Sequence, residues 1–241
     1  MTHHSGLGDY LGKYGDKIKE AIAVNKDAPV VPQLTSPKGF LQFADDQFYG
    51  VGKEHYSNLG ILLVGLAIEH AYNKQNADAL LTYDQILRQF IIDPAGISCF
   101  STTMPSSGAY NPLDHCAPYL AGSPGGGYWT TSTDLAKFGQ WVHQESNKSG
   151  FKELLIKFGE EFYNKDQDIV SHTGRMPLAS ANLTVSLRTG AVVAILADQP
   201  EVAIDMDAQV RKHILSTTGP ARRDAATLRE RSDQPGRSLS S

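Results

Sequence analysis

The sequence predicts an α+β fold, an α/β sandwich in which an antiparallel sheet is flanked by helices. Three observations predict it. An apolar helical pattern runs from Asn58 to Lys74, three β-rich segments follow one another between residues 168 and 197, and a last helical pattern covers Val202–Leu215. Helices that precede and follow a run of neighbouring strands are typical of a sheet with helices packed on its faces.

The elements before the strands are helices separated by long loops. Helices are predicted over Tyr10–Val24 and Tyr83–Ile92, and a proline ends the second. Residues 28–54 are rich in Pro, Gly and aromatic residues, which predicts a loop. Residues 93–128 contain five prolines and a triple glycine, so we expect a second long irregular segment there, of the kind that is often functional in compact domains.

Two further helices lead into the sheet. One begins near Ser132-Thr133-Asp134, whose side chains are suited to bind the N–H groups of a first turn, and an amphipathic one is predicted over Gly150–Asn164. The strands are predicted at three places: Asp168–Thr173, Asn182–Arg188 and Ala191–Ala197. The last two strands flank the turn Thr189-Gly190, which predicts a hairpin.

Composition predicts one folded domain followed by a disordered tail. The 241 residues suffice for one substantial core, which we place in residues 1–218, whereas residues 219–241 are rich in Arg and Ser and almost free of apolar side chains. A net charge of −4 gives no reason to expect nucleic acid as a partner. The longest apolar run, Leu59–Ile68, is too short to span a membrane. No signal peptide is visible, and the sequence assigns no compartment or oligomeric state.

Neither a metal site nor a cofactor is predicted. Cys99 and Cys116 match no metal-binding spacing, and there is no H-E-x-x-H motif. The two thiols either pair with each other or stay free. The triple glycine at residues 125–127 lacks the Gly-Lys-Ser/Thr sequence of a phosphate-binding loop.

Three short motifs stand in order along the chain. They are THHSGLGDY at residues 2–10, Tyr56-Ser57-Asn58 at the start of the apolar helix, and His172-Thr173-Gly174 on a predicted strand. Together with GGGYWTTSTDLAKFGQWV at residues 125–142, they resemble the serine β-lactamase and penicillin-binding-protein family, closest to its class C β-lactamase, D-Ala-D-Ala carboxypeptidase and esterase branch. The resemblance covers residues 2 to about 215 and implies a β-lactamase/transpeptidase-like fold.

The resemblance implies acyl transfer through a covalent serine ester, on a small peptide-like, ester or β-lactam substrate. Tyr56 takes the position of the family's proton-transferring tyrosine. Because a tyrosine ionises near pH ~10, it serves as a base only where nearby cations stabilise its phenolate. Asn58 takes the position of the asparagine that binds the substrate amide carbonyl.

The strand motif supplies the other predicted site residues. By resemblance, His172 provides positive charge or relays a proton, Thr173 binds the substrate carboxylate, and Gly174 leaves room for substrate beside the strand. The backbone N–H of Arg175 corresponds to one of two oxyanion-hole donors. A histidine where β-lactamases mostly carry lysine resembles the carboxypeptidase and esterase side of the family.

The family's nucleophile, the serine of an S-x-x-K motif, precedes all three motifs, and this chain begins after the place where it is expected. The sole S-x-x-K of the sequence, Ser149–Lys152, lies downstream beside a hydrophilic run, and we reject it as the nucleophile. We therefore expect a fold incomplete at its N-terminus, poorly folded and inactive as an isolated product. Two alternatives are a non-catalytic pseudoenzyme that binds a peptide-like ligand and a gene remnant without function.

The motif residues also have purely structural interpretations. Tyr56 is then a packed tyrosine at a helix start, and His172 is an edge-strand residue that faces solvent. His3, His4 and Ser5 are expected to form a turn rather than part of the site.

Overall fold

The computed structural model describes residues 3–9, 41, 48–102, 123–158, 162–176 and 179–217. The predicted helix Tyr10–Val24, most of the predicted loop over residues 28–54, Cys116 and the tail over residues 219–241 lie outside these ranges. Within them, helices pack on an antiparallel sheet, which confirms the predicted α+β class.

Helix α1 spans Asn58–Gln75, at the place of the predicted apolar helix. It begins at Asn58 because the Ser57 hydroxyl accepts the Gly60 N–H at 3.0 Å and so caps the first turn. Its Gly65 permits a close approach, since a Cβ at this position would lie 2.0 Å from the Cγ of Pro124. Pro124, directly before the triple glycine, is therefore packed on α1.

Short elements follow α1: helix α2 at Tyr83–Leu87, a π-helical turn at Arg88–Ile92, and strands β1 at Phe100–Ser101 and β2 at Trp129–Thr130. A capping box between Thr82 and Gln85 starts α2. Strands β1 and β2 pair antiparallel as a small separate sheet. The predicted helix over residues 83–92 is confirmed, with a change of hydrogen-bonding pattern after Leu87.

Helix α3 spans Ser132–Ser146 and helix α4 spans Phe151–Phe158. The prediction of one helix over Gly150–Asn164 is wrong at its end, because Tyr163–Asn164 form strand β3 on the edge of the main sheet. The Tyr163 ring is buried, and its hydroxyl donates to Asp168 at 2.8 Å. This burial and the sheet hydrogen bonds outweigh the helical pattern of the sequence.

The main sheet consists of β3 and three longer strands: β4 at Ile169–Met176, β5 at Ala179–Ser186 and β6 at Val192–Ala197. Its order is β3-β4-β5-β6, antiparallel throughout, with His172 opposite Leu183. The predicted strands and hairpin are confirmed in place but not in bounds, since β4 continues past Thr173 and β5 begins before Asn182.

Apolar cores lie on both faces of this sheet. Between the sheet and helices α3 and α4, the buried side chains are those of Val142, Leu155, Tyr163, Val185 and Leu187. On the other face, Ile169 packs with the side chains of the closing helix. Because side chains alternate along a strand, His172 shares the face of Val170, towards α3, while Thr173 shares the face of Ile169.

The chain closes with helix α5, Val202–Asp205, and helix α6, Asp207–Thr217. The predicted single helix over Val202–Leu215 is therefore interrupted at Met206. Asp207, the first residue of α6, accepts a hydrogen bond from the buried Asn182 amide at 2.7 Å. This bond fixes the start of α6 against the centre of β5.

Candidate active site

The first motif is joined to the segment before α1 by backbone hydrogen bonds. The Tyr49 N–H donates to the Gly6 carbonyl at 2.7 Å, and the His55 N–H donates to the His3 carbonyl at 2.8 Å. Gly6 has a φ of +74°, and a Cβ there would lie 2.6 Å from the carbonyl carbon of Gly50. Only glycine fits this approach, so residues 3–9 hold the segment 48–57 in place.

Tyr56 lies at the junction of these two segments. Its side chain is half-exposed, and its ring stacks on the His3 ring with 4.2 Å between centroids and 27° between planes. The His3 side chain is buried, and its Nδ1 accepts the Ser57 N–H at 3.1 Å. The expectation that His3 only forms a turn is thus incomplete, because its ring is part of the Tyr56 surroundings.

Asn58 is buried at the first position of α1, and its amide nitrogen donates to an Asp9 carboxylate oxygen at 2.9 Å. The neighbouring Ser57 hydroxyl donates to the Gly8 carbonyl at 2.8 Å. Hydrogen bonds from Ser57 and Asn58 therefore connect the second motif to the first. The Asp9 carboxylate of the first motif orients the Asn58 amide.

His172, on the sheet, is connected to this region through the ring of Phe162. Its exposed ring stacks on Phe162 with 4.9 Å between centroids and 15° between planes. Phe162 in turn faces His3 at 6.3 Å and 30°. Tyr56, His3, Phe162 and His172 thus form one row of four rings, here called the ring row. Both predicted catalytic residues belong to it, at its two ends.

Sequence reasoning missed Phe162 and the contribution of His3 to this row. Phe162 directly precedes the two-residue strand β3, which is too short to show a period, and it matches none of the family motifs. For His3 a signal existed in the sequence, since it lies inside the first motif. Its φ of 48° places it in the left-handed region, where non-glycine residues are uncommon.

The strand motif continues from His172 along β4. The Ser171 N–H donates to the Phe162 carbonyl at 3.0 Å, on the side of the strand away from β5. N–H groups two residues apart along a strand point to the same side, so those of Thr173 and Arg175 also point away from β5.

The Arg175 side chain forms an ion pair with Glu201. At Gly174 an added Cβ would meet Ala181 at an ordinary 3.7 Å, so sheet packing does not require glycine there.

The S-x-x-K sequence Ser149–Lys152 lies outside the ring row. Ser149 is exposed in the connection between α3 and α4, and the Lys152 Nζ lies 2.9 Å from an Asp168 carboxylate oxygen. The same carboxylate accepts the Tyr163 hydroxyl, and burial, together with this bond, raises the pKa of Tyr163 to about 12. Lys152 therefore takes part in a structural anchor for β3 and β4.

Other groups with strongly shifted pKa values also have structural roles. Asp134 is buried at the start of α3, where its hydrogen bonds with Lys137 and the Cys99 N–H hold its pKa well below the usual range. Burial raises the pKa of Tyr128, with a smaller contribution from its bond to Asp84. Cys99 itself carries a free, half-buried thiol.

In the described ranges, no group of three or more His, Cys, Asp or Glu side chains is arranged to hold a metal ion. Among the helices of these same ranges, none combines the length and the apolar character of a membrane span.

Comparisons with known proteins agree with this fold. The Beta-lactamase family model matches residues 1–213. A penicillin-binding protein from Bacillus halodurans is 19% identical, with a TM-score of 0.63 over 88% of this chain and 71% of its own. The octameric penicillin-binding protein homologue from Pyrococcus abyssi is 18% identical, with a TM-score of 0.63 over 95% of this chain and 57% of its own.

A mutant class C β-lactamase is 16% identical, with a TM-score of 0.55 over 90% of this chain and 68% of its own. No curated protein matches the chain. At these identities the solved structures show a shared fold, and the chain spans only part of each of them. Because the family model covers the sequence up to residue 213, beyond the last strand of the sheet, the chain belongs to the β-lactamase family.

Proposed function

We propose that the chain forms the tyrosine and β-strand half of the active site of a serine hydrolase that cleaves an amide or ester bond through an acyl-serine. The ring row is the observation that supports this proposal, because it connects Tyr56 and His172, from motifs more than a hundred residues apart, through the rings of His3 and Phe162. The nucleophilic serine and its lysine then come from a Ser-x-x-Lys segment outside residues 1–241.

In the proposed reaction, the serine oxygen bonds to the carbonyl carbon while the Tyr56 phenolate accepts the serine proton. The carbonyl oxygen becomes an oxyanion, and the Arg175 N–H donates to it. The bond to the leaving amine or alcohol then breaks, and Tyr56 returns the proton to that group. Water hydrolyses the acyl-serine ester and regenerates the serine hydroxyl.

Two charges assist these steps. The phenolate of Tyr56 needs positive charge nearby. The proposal assigns this charge to the motif lysine, and the protonated form of His172, at the other end of the ring row, is the second cation. The Asn58 amide, oriented by Asp9, hydrogen-bonds the substrate amide carbonyl. The Thr173 hydroxyl then binds the substrate carboxylate, and the space beside Gly174 receives the substrate backbone along β4.

A peptide-like or ester substrate fits better than a dedicated β-lactam, because His172 replaces the lysine that most β-lactamases carry.

A non-catalytic ligand-binding protein is the second candidate. The observation in its favour is the engagement of Lys152 by Asp168, which leaves the one S-x-x-K of this sequence outside the ring row. Such a protein keeps the binding residues of the cleft and forms no acyl-serine.

The first test is to sequence the transcript and genomic DNA upstream of Met1. We expect an in-frame Ser-x-x-Lys within an apolar helical pattern. A stop codon before any such motif contradicts the hydrolase and leaves ligand binding, measured as a thermal shift with a D-Ala-D-Ala peptide, as the alternative.

The second test uses the product that carries this motif. We expect it to react with a fluorophosphonate at the motif serine and to hydrolyse a p-nitrophenyl ester. Tyr56→Phe removes the proton-transferring group, so kcat should fall by about 10²- to 10⁴-fold. The matched control is Tyr72→Phe on α1, where the ring packs on Phe90, and its kcat should be unchanged. A fluorophosphonate adduct at Ser149 overturns the proposed nucleophile.

A further inference from the structure

We infer that His3 is a positioning residue for Tyr56. This inference rests on the proposed function, in which Tyr56 moves the proton, and it adds a residue whose role there is to hold the Tyr56 ring. His3 does not act on the substrate. It acts by orienting the half-exposed Tyr56 side chain, whose ring stacks on the His3 ring.

His3 holds both chain neighbours of Tyr56. The His55 N–H donates to the His3 carbonyl at 2.8 Å, and the Ser57 N–H donates to the His3 Nδ1 at 3.1 Å. The backbone on each side of Tyr56 is therefore bound to the same residue. Rotation of the Tyr56 backbone has to break one of these two bonds.

The His3 ring also fixes the side chain of Tyr56. The two rings stack at 4.2 Å, and Phe162 lies on the ring row beyond His3 at 6.3 Å. Because Nδ1 accepts a backbone N–H, the proton of the neutral imidazole is on Nε2. One planar side chain thus provides a hydrogen-bond acceptor for Ser57 and an aromatic face for Tyr56.

The backbone of His3 supports a specific role for this residue. Its φ of 48° is uncommon for a residue with a side chain, and such conformations persist where the surrounding contacts demand them. Here the contacts are the two bonds to residues 55 and 57. The adjacent His4 is exposed, which makes it a matched control of the same residue type.

Two substitutions separate the two parts of His3. His3→Asn keeps an acceptor near the place of Nδ1 and loses the ring, whereas His3→Phe keeps a ring and loses the acceptor. The full chain is labelled with 3-fluorotyrosine, and the Tyr56 resonance is assigned by its loss in Tyr56→Phe. We expect the Tyr56 resonance to shift or broaden in both His3 variants and to stay in place in His4→Asn. An unchanged Tyr56 resonance in both His3 variants, with native far-ultraviolet circular dichroism, overturns the inference.

The catalytic consequence is measured in the product that carries the Ser-x-x-Lys segment. Displacement of a reacting group costs rate rather than binding, so kcat should fall about 10- to 100-fold in His3→Asn with little change in KM. His3→Phe should recover part of kcat because it restores the stacking face. A merely structural role lowers the melting temperature and leaves kcat unchanged well below it.

The two proposals fail in distinguishable ways. If Tyr56→Phe leaves kcat unchanged while the His3 variants move the Tyr56 resonance, the catalytic role of Tyr56 is wrong and the contact between the two residues stands. If Tyr56→Phe lowers kcat and both His3 variants keep it at the native value, the positioning role of His3 is wrong.

Discussion

Tyr56 and His172 reach the ring row from two regions that are held together in different ways. Tyr56 lies in the segment 48–57, which is fixed by separate hydrogen bonds to residues 3–9, two of them made by the side chains of His3 and Ser57. His172 lies on β4, which pairs with β5 along eight residues and is anchored from behind by a core.

The two ends of the site therefore tolerate different changes. A sheet ladder shares its hydrogen bonds among many residues, so a single side-chain change there lowers the stability of the whole unit without moving one residue alone. The Tyr56 end depends on a few specific groups, so a single change there displaces Tyr56 while the sheet remains folded.

The largest effect is expected from Ile169→Ala on β4. Ile169 is 1% exposed and packs with Val210 and Ile214 of α6, so its truncation leaves a cavity beneath the strand that carries His172. The free energy of unfolding should fall by about 2–5 kcal/mol, measured by urea denaturation. Leu196→Ala on β6, where the side chain is 39% exposed, is the control and should cost much less. Equal losses contradict the placement of the core beneath β4.

The second effect is a loss of stability at alkaline pH, and we expect it to come from Tyr163. Burial raises the pKa of Tyr163 from 10.0 to about 12, with the Asp168 carboxylate as a further cause. Below pH ~10 the hydroxyl is protonated in both the folded and the unfolded state, and its stabilising contribution is complete. Between pH ~10 and ~12 the unfolded chain loses this proton first, so up to about 2–3 kcal/mol of stability is lost as pH rises.

The measurement is the free energy of unfolding in urea from pH 8 to pH 12. Tyr163→Phe should flatten the alkaline loss, while Tyr72→Phe should keep it. Tyr83 and Tyr128 also have raised pKa values and contribute their own share of the slope in both proteins. A slope in Tyr163→Phe that equals the native one shows that Tyr163 is not the anchor of β3.

The strongly periodic parts of the chain were predictable from sequence. The apolar helix α1, the capped start of α3 and the hairpin of β5 and β6 each follow a local pattern, and the order of three motifs indicated the family. The expectation that Tyr56 and His172 share one site follows from that resemblance, and both the shared site and their catalytic roles stay a prediction.

The rest depends on contacts between distant residues. The ring row joins residue 3 to residue 56 and residue 162 to residue 172, and no local pattern encodes such pairs. Strand β3 was predicted as helix because Tyr163 and Asn164 extend an amphipathic pattern, and only the neighbouring β4 makes them a strand. The left-handed backbone of His3 is likewise set by its contacts, because no local pattern marks a residue with a side chain for that conformation.

Gly6→Ala tests how the segment that carries Tyr56 is held against residues 3–9. Gly6 has a φ of +74°, and an added Cβ would lie 2.6 Å from the carbonyl carbon of Gly50, so the two backbones must separate. Gly52→Ala is a close control, because Gly52 has a φ of +86° but an added Cβ meets no atom within 4 Å. Both variants carry the left-handed strain of about 1–2 kcal/mol.

Gly6→Ala should therefore lose about 1–3 kcal/mol more than Gly52→Ala in the free energy of unfolding, because only Gly6 adds an overlap with backbone atoms. The 3-fluorotyrosine resonance of Tyr56 should move in Gly6→Ala alone. Equal stabilities and equal spectra contradict the close contact between the first motif and the segment before α1.

The smallest effect is expected from Ser57→Ala, compared with Thr131→Ala. Each residue caps a helix: the Ser57 hydroxyl accepts the Gly60 N–H, and the Thr131 hydroxyl accepts the Asp134 N–H at 3.1 Å. Loss of either cap should cost about 1 kcal/mol in the free energy of unfolding. Ser57 also donates to the Gly8 carbonyl, so its replacement should cost a further ~0.5–1.5 kcal/mol and move the Tyr56 resonance. If both variants lose the same stability and neither moves that resonance, the Tyr56 end is held as diffusely as the sheet, and the contrast between the two ends of the site disappears.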